Sequence, residues 1–159
     1  MLTRRCLFLA VSVLAFAACR RSPPPDGAIA ATVGHESITI ADLKKALVEQ
    51  RGNMLDSYDS FEKKMQFVEL LVRNRLLAQE ARRLGLAANA KEASRPESAI
   101  IRKAFADAGP AGGRAAITRL VSDLRAKSKV VIHEDTIRRL DVGLLAQQAK
   151  VPAKPGTPP

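Results

Sequence analysis

The side chains able to do chemistry are few, and they are poorly spaced for it. His35 stands next to Glu36, and His133 next to Glu134. Strands that brought these pairs together would assemble the donors of a two-His, two-carboxylate metal site. Both histidines also sit at turn or strand-end positions, where a histidine is simply tolerated, and no metal is expected. A serine nucleophile needs a positioned base, and no serine here has a Gly-x-Ser-x-Gly setting. "GPAGGR" (109–114) lacks the spacing and the following lysine of a phosphate-cradling loop and reads as a turn. Glu134 and Asp135 are adjacent, which suits the positive first turn of a helix better than paired acid–base work. No catalytic residue and no cofactor is expected.

The cysteines are Cys6 and Cys19. "MLTRRCLFLAVSVLAFAAC" has a basic start at Arg4 and Arg5 and a short apolar run to Ala18. That is the layout of a secretory signal, too short for a permanent span. Ala17 and Ala18 before Cys19 resemble the lipobox of bacterial lipoproteins, although Phe16 stands where Leu is usual. The resemblance implies cleavage after residue 18 and acylation of Cys19, with attachment to the membrane through its acyl chains. "TRRCLFL" also resembles a twin-arginine signal without the later lysine, so the export route stays open between that and the general one. Arg20 is not the Asp that suggests inner-membrane retention in some bacteria, which points to the periplasmic face of the outer membrane.

With 159 residues the chain has room for one domain. Its formal charge is +10, and about +8 once Arg4 and Arg5 leave with the signal. A positive balance suits acidic polypeptides or anionic lipid. In an exported protein it does not point to nucleic acid, and the bases are interleaved with acids. No cysteine follows Cys19, so neither an internal disulfide nor a thiolate metal site is expected.

Residues 19–30, "CRRSPPPDGAIA", read as a Pro-rich spacer from the anchor. The stretch 146–159 reads as a disordered Pro-rich tail, leaving 31–145 as the folded part. Thr32–Val33, a turn at Gly34–Glu36, and Ser37–Ile40 predict two short strands. Thr39 with Asp42 forms a capping box for a helix to about Gln50. A loop at 51–60 leads to Ser60, which caps a long helix from Phe61 to Leu84 stopped by Gly85. Ser94 with Glu97 suggests another cap, for a helix to Ala108. "AGPAGG" (108–113) is a turn, and a helix runs from Arg114 to Lys127. Val130–Ile132 is a third strand, followed by a helix from Glu134. The fold class is mostly α with a very small sheet, 31–40 paired with 129–133.

Three segments, "ATVGHESITIADLKKAL", "FEKKMQFVELLVRNRLLAQEARRLGL" and "LVSDLRAKSKVVIHEDTIRRL", occur in the order of the N-terminal domain of SurA-like periplasmic chaperones and parvulin-type prolyl isomerases, and resemble it. The resemblance implies a helical chaperone domain. It does not extend to the catalytic half: only about 45 residues separate Gly85 from Val130, and they read as helices, not as a parvulin domain.

What this implies is an ATP-independent holder of unfolded exported or outer-membrane polypeptides. An assembly lipoprotein with one dedicated envelope partner is the second reading, and a prolyl isomerase the third. The long helix carries two apolar stripes, wider together than one buried face needs. Either the other helices cover both, or one stays open as a groove. For the open groove the expected client contacts are Phe61, Met65, Phe67, Val68, Leu71 and Val72.

Overall fold

A computed structural model describes residues 22–86 and 93–150, with backbone alone at 53 and 148–150. The signal segment 1–18, Cys19 and the end of the tail (151–159) lie outside the described residues. The protein is mostly helical with a three-stranded antiparallel sheet. β1 (Ile29–Val33) is central, flanked by β2 (Glu36–Thr39) and β3 (Val130–Ile132). Ala31 to Val33 pair antiparallel with Ile132 to Val130, inside the segments 31–40 and 129–133 expected to pair.

The β1–β2 turn has two residues, Gly34 and His35, with Gly34 at φ 62. Positive φ at the first central residue matches the twist of a tight hairpin, and glycine takes it without Cβ strain. β1 starts earlier than its apolar pattern suggests. Ala30, Ala31 and Val33 are all inaccessible to solvent, so a strand covered on both faces shows no alternation to read.

The segment before it is not a free spacer. Pro24 is buried, and Asp26 pairs with Lys44 at 2.7 Å. The backbone N–H groups of Ile40 and Ala41, at the start of α1 (Ile40–Arg51), donate to the carbonyls of Ala28 (2.8 Å) and Asp26 (2.9 Å). A helix start has N–H groups with no partner of its own, and this segment supplies acceptors. Proline has no N–H to strand in the interior, so Pro24 can be covered cheaply. The folded part therefore begins near Pro24, not at Ala31.

The capping box is present: Thr39 Oγ1 accepts from the Asp42 N–H (3.1 Å), and Asp42 Oδ2 accepts from the Thr39 N–H (2.9 Å). The expected loop after α1 is a 3₁₀ helix, Gly52–Tyr58. It buries Leu55 and sets Tyr58 edge-on to Phe67, centroids 5.6 Å apart.

α2 (Phe61–Arg83) is the spine. Ser60 accepts from the Lys63 N–H at its start. At its end Gly85 has φ 68, and the N–H groups of Gly85 and Leu86 donate to the carbonyls of Arg82 and Ala81. That is the paired bonding of a Schellman stop.

α3 (Pro96–Lys127) starts at Pro96 with Arg95 as its cap residue, one position past the Ser94 expected for that role. The expected six-residue turn shrinks to one residue, Gly109 at φ 66, because Pro110 can open a new helix directly. The two arms fold back on each other: a Cβ on Gly113 would lie 2.9 Å from Phe105 Cα. Ile100 and Ile117 then meet in a small core with Leu77 and Ala81 of α2.

α4 (Glu134–Arg138) and α5 (Val142–Lys150) close the chain. α5 reaches into the stretch read as tail, because Val142, Leu145 and Ala146 share one face and are buried in the main core. Asp141 Oδ1 accepts from the Leu144 N–H at its start. The main core joins the sheet, α1, the 3₁₀ helix, α4, α5 and one side of α2. The small core occupies the other side of α2.

Candidate functional site

The two histidines do not meet. His133 N–H bonds to Ala30 C=O, while Gly34 N–H bonds to Lys129 C=O. Antiparallel pairing thus puts His133 at one end of β1 and His35 at the other, about 13 Å of strand apart. Among the described residues no group of three or more His, Cys, Asp or Glu side chains is placed to hold a metal ion.

The expected client contacts on α2 divide into two sets. Phe67, Val68 and Val72 are 2%, 0% and 0% exposed. They are core residues, which corrects their assignment to an open groove: the sheet and the 3₁₀ helix cover that side of α2. Phe61 and Met65 are half-buried and pack against the same core. The Arg138 guanidinium lies 3.9 Å from the Phe61 ring centroid, a cation–π contact that covers the ring. Leu71 is half-buried and lines a cleft, and the buried Val72 backs a second hollow on α2.

That cleft has a volume of about 270 Å³ and lies between α1, α2 and the first turn of α3. Helical spacing builds each wall. Asp42, Ala46 and Gln50 come from α1, and Leu71, Asn74, Arg75, Ala78 and Arg82 from α2. Ala46 and Ala78 are small and keep the walls apart, while Leu71 gives the floor an apolar patch. The rim is charged in both signs. Glu36 of β2 accepts from Arg75 (2.9 Å) and Arg82 (3.3 Å), which ties both arginines to the sheet. The Thr39 N–H at the Asp42 carboxylate holds that acid below its ordinary range, so it is ionised at neutral pH. Leu71 was read from the sequence; Ala46, Arg75 and Asp42 were not. For Asp42 and Ala46 the signal was the polar and small face of α1 at a spacing of four; Arg75 lies on α2.

Two further hollows, of about 360 and 550 Å³, flank the seam between α2 and the second arm of α3. One is floored by Leu70, Leu76 and Val121 under the Arg125–Glu69 pair, whose two bonds measure 2.5 and 3.0 Å. The other is floored by Leu76, Leu120 and Leu124 and rimmed by Glu80, Arg83 and Lys127. What these places offer is apolar floor and fixed charge. Among the described residues no helix is long and apolar enough to cross a membrane. No family model, no curated protein and no solved structure matches this chain.

Proposed function

We propose that the chain is a lipid-anchored, non-catalytic polypeptide-binding protein of the periplasmic face of the envelope, holding extended segments of unfolded exported chains without ATP. The observation that carries this reading is the cleft floored by Leu71 and rimmed by Asp42, Arg75 and Arg82. An open groove with a narrow apolar floor and charges of both signs fits an extended backbone better than a compact ligand. The order of the three resembling segments supports the same class.

A second reading, one dedicated envelope partner, has its own support. The large apolar residues of α2 are covered, and the exposed ones, such as Met54, Leu84 and Phe105, sit on separate elements. Promiscuous holders expose contiguous apolar surface.

One experiment separates the two. The full-length protein is mixed in excess with a purified, urea-unfolded outer-membrane β-barrel protein, and aggregation is followed by light scattering on dilution. Slowed aggregation, weakened by Leu71→Asp, supports holding. No slowing at several-fold excess sinks it. A photo-crosslinker at Leu71 that yields a single stoichiometric adduct in cells establishes the dedicated-partner reading instead.

A further inference from the structure

We infer that the end of the domain formed by α1, the 3₁₀ helix and α5 lies against the membrane surface, with the α3 hairpin held away from it. This rests on the proposed acylation of Cys19 and on where the described chain begins. Pro24 is buried in the domain, and Pro23 and Pro24 line a hollow with Lys44, Leu140 and Leu144. Five residues, from Cys19 to Pro24, reach at most about 18 Å. A domain of this size is about 35 Å across. A free twelve-residue spacer over 19–30 would extend about 37 Å in polyproline form and let the domain tumble. The docked segment removes about half of that length, so the surface beside Pro24 stays within about half a domain width of the headgroup layer.

That surface has the character for such a neighbour. Leu144, beside Pro23 and Pro24, is 49% exposed. Val48, one turn along α1 from Lys44, is 41% exposed, and Met54 on the 3₁₀ helix is 59% exposed. The three elements pack on one another. Their exposed apolar side chains fit the headgroup–acyl boundary, and Arg20 and Arg21 favour an anionic headgroup layer beside the anchor. The α3 hairpin is held by α2, so its tip at Gly109 projects with the clefts facing the compartment.

The test uses the full-length, acylated protein in vesicles of phosphatidylethanolamine and phosphatidylglycerol. Once the signal is removed with Cys6, and with the Cys19 sulfur blocked as a thioether in the acylated protein, no free thiol remains, so Val48→Cys, Leu144→Cys and Ala111→Cys each give one labelling site. Ala111 is exposed near the hairpin tip. An environment-sensitive dye is attached, and a quencher is placed on lipid headgroups. The expected result is a blue-shifted dye at positions 48 and 144, quenched several-fold more than at 111. Equal quenching at all three positions, in protein whose intact mass shows the acyl chains, overturns the inference and leaves the lipoprotein reading standing. An intact mass without acyl chains overturns both, and the mass alone tells the two failures apart.

Discussion

Lys64 is the buried charge of the described chain, 6% exposed, and its replacement gives a sharp test of how the C-terminal elements are held. Its Nζ donates to the carbonyl of Leu140 at 2.6 Å. Asp59 is 4.0 Å away and three-quarters exposed, so that pair contributes little. Lys64→Met keeps a stem of similar length and removes the donor. A hydrogen bond from a charged donor contributes about 1.5–3 kcal/mol, and the bared carbonyl has few alternatives. Relief of the ammonium's own desolvation subtracts from this, which leaves a loss of about 1–2 kcal/mol. Lys64→Ala also removes three buried methylenes, at about 0.8 kcal/mol each, for a total of about 3–5 kcal/mol. Urea unfolding followed by circular dichroism reads both. With a slope of about 1.5 kcal/mol/M, the Met variant moves the midpoint down by about 1 M and the Ala variant by two to three times as much. A Met variant as stable as the parent, or more so, would falsify the view that this bond is a net hold on the loop between α4 and α5.

Gly113→Ala drives a Cβ to within 2.9 Å of Phe105 Cα, a backbone atom that cannot step aside. The expected loss is about 1–3 kcal/mol, seen as faster amide exchange confined to the α3 hairpin. Gly85→Ala forces a side chain into φ 68 at the stop of α2; a loss of about 1 kcal/mol is expected in thermal melts. Thr39→Ala removes half of the capping box, with a loss of about 1 kcal/mol. Asp42 titrates below its ordinary value of 3.8, chiefly because it accepts the Thr39 N–H. Its folded-state pKa is depressed, so its contribution is present above about pH 4 and lost as pH falls through the lowered value. Asp42→Asn flattens that part of the acid-unfolding profile, measured between pH 5 and pH 2.

Local signals were the legible ones. Thr39 with Asp42, Ser60 and Gly85 each satisfy orphan backbone groups within a few residues, so their roles could be read in place. The sheet pairing was legible because Val130–Ile132 is β-branched in an otherwise helical region. What escaped was set by contacts distant in sequence. Pro24 looked like spacer because its partners, around Lys44 and Leu140, lie 20 and 116 positions away. The same holds for α5, whose Ala-rich sequence is apolar on one face only when set against the 3₁₀ helix. The fate of the α2 stripes was equally distant: the residues that cover that side of α2 come from the sheet, the 3₁₀ helix and α4.

The covering of those stripes changes the energetic scale of the proposed function. Phe67, Val68 and Val72 in an open groove would each have offered about 1.5–3 kcal/mol to a client. The cleft offers Leu71 and Ala46, both already half-covered, and an extended segment laid there gains only a few kcal/mol. An affinity near 4 kcal/mol corresponds to about millimolar dissociation, too weak for a protein dispersed in solution. Under the proposed anchoring at Cys19, confinement on a membrane would alter this, because neighbouring copies would present their clefts to the same client at high effective concentration. On that proposal, weak holding and the anchor would be parts of one mechanism. The consequence is measurable: if the clefts act together, anti-aggregation activity depends on surface density. It rises steeply as acylated protein is crowded onto vesicles at constant total concentration, and it falls to the level of the dilute protein when Cys19→Ser removes the anchor.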